Sequence, residues 1–395
     1  MEIPLTSKEI KESIQVPQDN LNYLEKYPKN EIYAYIHELV RFTDYINKSH
    51  VIKEDFPTER YLFMLDHYLQ LFTKWIGSGF SDCKSIDTFI RGLLRLFEIS
   101  NESNLESLKN ELLKYPITNY CLIVLDIFNN NSQICPIELV ETATKCLLVT
   151  STIQKLYLKQ DSGKFITFVN YINSMVKKKF PVDQSRISEK VLEAFTNITS
   201  VNGEILTNLE NDNDIVKLLP ENLKQIISHS NNENLICQCI ILAKNLLVST
   251  ECFEQFFKTG ILTIIVKRFT MGSVNEIHAC SVLIISLVDM FKNSNNTYNN
   301  QTILQFQGCA VATIYYILSN DSDINGMLVN LLLKMFENEI LRKTILSIVH
   351  IDESKITESP IDWKNNLSSV DLTLYKKHCY DYFEKSHIPK PNTIK

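Results

Sequence analysis

Apolar residues recur at spacings of three and four along segment after segment of this chain, and that spacing limits its fold more than any other feature. Between Asn30 and Asn47, the residues Ile32, Tyr35, Ile36, Leu39, Phe42, Tyr45 and Ile46 fall on one side of a helix. Pro57 opens a second such segment, with Leu62, Leu65, Leu69, Phe72 and Ile76 on one side and Gly77 and Gly79 at its end. Ser85–Ile99 repeats the pattern. Shorter helices are expected over Leu105–Lys114 and Asn119–Asn129, separated by Pro116. Pro136 suits the first position of a long helix reaching about Leu158, and Gly163–Lys179 forms another, ended by Pro181. No stretch alternates apolar and polar residues over the length of a strand. The β-branched run Ile261–Val266 reads as a short buried helix because its neighbours are helical.

Turn-forming residues are correspondingly few. The chain has 9 Gly and 11 Pro in 395 residues, which disfavours the tight turns of β-rich and dinucleotide-binding folds. Hydrophobic residues make up 45%, enough for a large core. The expected class is therefore all-α. The expected division is a flexible arm over 1–28, a helical region over 29–180, a region of helical repeats over 181–350, and a last helix with a tail over 351–395. Asn-rich loops punctuate the third region at Asn211–Asn213, Asn231–Asn234 and Asn293–Asn300. Ser273-Val-Asn-Glu276 fits a capping box. Ser359-Pro-Ile-Asp362 offers a similar start for the last helix, and residues 386–395 read as a loose tail.

The repeat region shows self-similarity. ILAKNLLV (241–248) aligns with the stretch ending at Val288 at a shift of 40, which sets Leu247-Val248 on Leu287-Val288. Upstream, Ala194-Phe-Thr-Asn197 matches Leu242-Ala-Lys-Asn245 at a shift of 48. The run LAKNLLVSTECFEQFFKTGILTIIVKRF (242–269) places an Ala/Leu/Asn element, a short helix, Gly260 and an apolar helix in order, and SVNEIHACSVLIISLV (273–288) follows as a longer helix. In this order and spacing the chain resembles the armadillo repeat family over about 183–290.

The resemblance implies an armadillo/HEAT-like right-handed helical solenoid. A compact multi-helix bundle is the alternative reading of the same pattern. The family implies a non-enzymatic scaffold or adaptor that binds a protein on its helical surface. Some armadillo-type proteins instead regulate a small GTPase or a chaperone by remodelling it, and an enzyme on a helical bundle is a third reading. The family's groove asparagine, which bonds the backbone of a bound extended peptide, corresponds here to Asn197 and Asn245. With Lys244 these form the candidate protein-binding set; ordinary helix-to-helix hydrogen bonding is the plainer reading of both asparagines. Nuclear-import adaptors of the family carry a Trp one turn before that Asn, where this chain has Glu193 and Ile241.

The remaining sequence gives no chemical signature. Eight His are scattered, none in HExxH. No GxxxxGK[ST], GxGxxG or GxSxG is present. His278 with Cys280 and His378 with Cys379 sit at spacings that diverge on a helix. Asp321 and Asp323 lack the Gly and Glu of a calcium loop. No catalytic residue, metal or cofactor is therefore expected. The net charge of −6 and the brief basic run Lys177–Lys179 give no nucleic-acid footprint. No run of 18 apolar residues predicts membrane insertion, and ten scattered Cys without CxxC suit free thiols in a reducing, cytoplasmic setting with nuclear access. Twelve aromatic residues from Tyr23 to Trp75 read as a packed first helical layer, with an anchor surface for a partner as the other reading.

Overall fold

The computed structural model describes residues 117–130, 135–153, 163–178, 185–200, 213–248, 250–293, 300–319, 325–350, 367–386 and 388–391, with isolated positions between 86 and 112. Of the residues it describes, 90% are helical and none lies in a strand. The expected class is correct. The expectations for the N-terminal arm, the first two helices, the aromatic-rich segment, the Ser359 cap and most of the Asn293–Asn300 loop lie outside the described residues.

The chain divides into two compact units, 1–171 and 172–395. In the first, α1 (Ile117–Asn130) packs on α2 (Ile137–Ile153). Ile117, Cys121, Val124, Leu125 and Phe128 form the buried stripe of α1; Leu139, Val140, Ala143, Cys146 and Leu147 form that of α2. A buried hydrogen bond from Thr118 Oγ1 to Thr150 Oγ1, 3.2 Å long, joins them. The Pro136 carbonyl accepts from the amides of Leu139 and Val140, so the proline stands at the entrance of α2, one position before its first helical residue. α3 (Gly163–Lys178) begins in this unit, where Thr167 donates to Asp126 at 2.9 Å.

The second unit holds α4 (Ser185–Thr199), α5 (Asn213–His229), α6 (Glu233–Leu246), α7 (Thr250–Lys258), α8 (Ile261–Met271), α9 (Val274–Asn293), α10 (Asn300–Ser319), α11 (Asn325–Glu337), α12 (Glu339–Val349) and α13 (Ser369–Ser386). Two successions of neighbours run through it. α4 packs on α6, α6 on α9, and α9 on α11; likewise α5 packs on α8, and α8 on α10. Cross-packing joins the two successions at α5–α6, α8–α9 and α10–α11, while α12 and α13 cover α10.

Burial repeats along the first succession. At the shift of 48, Ile187, Val191, Leu192, Ala194, Phe195 and Ile198 of α4 are buried, as are Leu235, Cys239, Ile240, Leu242, Ala243 and Leu246 of α6. From α6 to α9 the match falls at 41, not 40. Leu235, Ile236, Cys239, Leu242, Ala243, Leu246 and Leu247 are buried together with Glu276, Ile277, Cys280, Leu283, Ile284, Leu287 and Val288. The caps agree, since Asn232 accepts from Leu235 N and Ser273 accepts from Glu276 N, again 41 apart. Matching the two Leu-Val pairs slips the register by one residue and sets exposed Val248 against buried Val288.

Local chemistry fixes the element ends. Gly260 starts α8 in the left-handed region with φ 70°, which glycine adopts without steric cost. The apolar run after it is helical, as expected, with Ile261, Leu262, Ile265, Val266 and Phe269 buried. The capping box at Ser273 is complete, because Glu276 also accepts from the Ser273 amide. The described helix nearest the C-terminus starts at Ser369, with Ser368 accepting from the Asp371 amide at 3.1 Å. Within α10, Thr302–Ser319 is long and apolar enough by length and composition to cross a membrane, and 72% of it is buried against its neighbours. Residues 388–391 differ from the loose tail expected. Ile388 lies against Gly308 of α10, where there is no β-carbon to exclude it, and Pro391 is buried.

Candidate functional site

The four helices α4, α6, α9 and α11 each keep a stripe of side chains outside the core at helical spacing. Glu193 and Asn197 of α4, Ile241 and Lys244 of α6, and Val282, Ile285 and Asp289 of α9 are half-buried. On α11 Leu333 is 43% exposed and Lys334 is half-buried. The aliphatic members of these stripes are Ile241, Val282, Ile285 and Leu333, and charged residues stand on the same helices. Lys334 Nζ lies 3.6 Å from Asp289 Oδ1 on the neighbouring helix and 3.2 Å from Glu337 within its own. Such exposed pairs contribute little stability but set the polarity of these stripes.

The sequence-derived residues divide between this face and the core behind it. Asn197 and Lys244 are on the face. Asn245 is 5% exposed, and its Nδ2 donates to the Thr196 carbonyl and to Thr199 Oγ1 of α4, both at 3.0 Å. The shift of 48 that equates Asn197 with Asn245 in sequence holds for burial at neighbouring positions and breaks at this pair. Lys244 takes the outward place, and the asparagine turns inward to tie α6 to α4.

That tie belongs to a recurring device that sequence reasoning missed. Arg268 of α8 sends its guanidinium back to the C-terminal end of α5. Its Nε and Nη2 donate to the Ile227 carbonyl at 3.0 and 2.6 Å, and Nη2 donates to the Ser230 carbonyl at 3.0 Å. Tyr316 of α10 does the same for α8, its hydroxyl donating to the carbonyls of Phe269 at 3.1 Å and Thr270 at 2.8 Å. The last carbonyls of a helix have no partner within it, so a donor from the next helix of the succession satisfies them. Read locally, Arg268 is merely a cation near a helix C-terminus. Its acceptors lie 41 and 38 residues upstream, beyond any window of local pattern.

Arg268 Nη1 also pairs with Glu276 Oε1 at 3.3 Å. Burial raises the Glu276 carboxyl above its ordinary value of 4.5, against the lowering by Arg268 and by the Ser273 amide. At the amino ends of α6 and α9, Asn232 donates to Glu189 of α4, and Asn275 donates to Glu233 at 2.7 Å. Cys237 lies near this edge; its partial burial, then the charges of Glu276 and Glu233, push its thiol up to about 11.

Deeper thiols are held up further by burial, Cys379 to about 12, with Cys239, Cys280 and Cys309 also raised. A thiol in that state is not a nucleophile at neutral pH. His278 is exposed while Cys280 is fully buried, so the two diverge. His378 meets His350 edge-on with ring centres 4.8 Å apart, while Cys379 beside it points into the core. Among the described residues no three of His, Cys, Asp and Glu converge as metal ligands.

No family model matches the chain, and no curated protein matches it. One solved structure that it does match is described as an engineered protein from the Northeast Structural Genomics Consortium. The two share 12% identity over 96% of this chain and 99% of that one, with a TM-score of 0.37. A similarity that low leaves the reading to the chain's own residues.

Proposed function

We propose that this chain is a non-enzymatic scaffold whose second unit is an armadillo/HEAT-like solenoid, and that it holds a protein partner on the face of α4, α6, α9 and α11. The observation that carries this reading is the set of aliphatic side chains left outside the core, half-buried Ile241, Val282 and Ile285 and exposed Leu333, with Lys244, Asp289 and Lys334 on the same helices. Aliphatic side chains gain by leaving water, and charged residues on the same helices give orientation, which together describe a protein-binding surface better than a small-molecule pocket. The solenoid is supported by the two successions of neighbours and by burial recurring at 48 and then 41 residues. The interval of 41 falls within the range of helical-repeat units of this kind, about 40 to 47 residues, and the interval of 48 is one residue longer.

The test uses the full chain and two variants, Ile241→Asp and Leu333→Asp, for affinity capture from cells with quantitative mass spectrometry. Both positions are partly solvated, so circular dichroism and thermal melting should match the parent. A specific partner held on this face is lost about tenfold or more from both variants, since a buried unpaired carboxylate costs several kcal/mol at an interface. If every captured protein is recovered equally with parent and variants, the face is not the binding surface.

A further inference from the structure

Past α13 the chain turns back onto α10 and is gripped at three points within four residues. Ile388 Cδ1 occupies the place a β-carbon on Gly308 would take, with Cγ1 and Cγ2 3.6 and 3.8 Å from that place. Lys390 Nζ lies 3.7 Å from the centre of the Tyr380 ring and 3.0 Å from Glu384 Oε1. Pro391 is buried. The gripped sequence is Ile-Pro-Lys-Pro, and prolines hold such a segment extended before it docks, so little order remains to be imposed. A glycine within a helix costs roughly 1 kcal/mol relative to alanine, and at Gly308 the open space it leaves is filled by the isoleucine. Leu304, one turn earlier on α10, is 53% exposed, and its carbonyl accepts from Tyr382 Oη at 3.5 Å.

We propose that the Gly308 socket is a recognition site for a short extended segment carrying an aliphatic residue followed by Pro and Lys, and that residues 388–391 of the chain itself keep it closed. The aliphatic residue enters at Gly308, and the lysine sits between a ring face and a carboxylate. The linkage to α13 gives the internal tail a high effective concentration, so a free segment of equal quality does not enter until the tail is released. The idea deepens the scaffold reading by adding a gated site, and it is tested without any partner.

The probe is a fluorescein-labelled peptide of residues 385–392, KSHIPKPN, titrated by anisotropy into three full-length chains. The parent should exclude it. Ile388→Asp, which ejects the tail without touching a helix, should bind it about tenfold or more tightly than the parent does. Adding Gly308→Val to Ile388→Asp should remove that binding. The peptide carrying Ile388→Asp should fail on the Ile388→Asp chain, an arm that stands even if the Gly308→Val chain does not fold. Absence of peptide binding to Ile388→Asp, or equal binding by both peptides, overturns the socket and leaves the four-helix face unaffected.

Discussion

Arg268 shows how much of this molecule depends on single side chains that act across the succession of helices. Its guanidinium serves two carbonyls of the α5 end and the Glu276 carboxylate, and is 24% exposed. Replacing it with methionine keeps the volume but leaves Glu276, almost without exposed side-chain area, as an unpaired charge. We expect Arg268→Met to cost about 2–4 kcal/mol in urea denaturation near neutral pH. The pH dependence follows from the direction of the Glu276 shift. Its folded carboxyl binds a proton more tightly than the ordinary value of 4.5, so its contribution to stability is full below that value. That contribution is lost as pH rises through the folded pKa. Arg268 opposes the shift, and removing it raises the folded pKa further. The deficit of Arg268→Met should therefore shrink as pH falls toward 4.5, and a deficit unchanged by pH would mean the carboxylate is not its source. None of this is legible in sequence, where Arg268 is only a cation in a helix's last turn. Asn245 is legible as a polar group in an apolar stripe. Which way it turns depends on where α4 places Thr196 and Thr199, and three-dimensional packing alone decides that.

At the scale of elements, the pattern of apolar spacing finds the helices well because each has one strongly biased side. The spacing predicts α3 over Gly163–Lys179 and the helix runs Gly163–Lys178; the run after Gly260 is helical although its residues favour strands. Tertiary burial overrides β-propensity there, with six of the eleven residues of α8 in the core. The repeat interval reads one residue short in sequence because identical Leu-Val pairs outweigh the less conspicuous match of Cys239 with Cys280 and of the caps Asn232 and Ser273. The docked Ile-Pro-Lys-Pro tail escapes a sequence reading because it has no periodicity, and its receptor is a missing side chain on another element. Gly260 supplies a prediction at this scale. A β-carbon there would meet nothing within 4 Å, so any cost of Gly260→Ala comes from φ 70° alone. That cost should be about 1 kcal/mol, with Gly260→Asn costing less because asparagine tolerates the left-handed region. Equal melting temperatures for parent and both variants would show that α7 and α8 are joined by some other backbone conformation.

For the molecule as a whole, the described residues put nearly all their thiols out of reach of water. Cys239 in α6, Cys280 in α9, Cys309 in α10 and Cys379 in α13 have no exposed area, and burial holds each thiol well above its ordinary range. An alkylating reagent can therefore modify them only when the surrounding layer opens. These four of the buried thiols thus serve as internal clocks spaced through the second unit, needing no introduced label. In an array held together by adjacent layers, the clocks run at different speeds: Cys379 near one end is modified first, and Cys280, covered on both sides by α6 and α11, is modified last. In a bundle sharing one core, all four strike together.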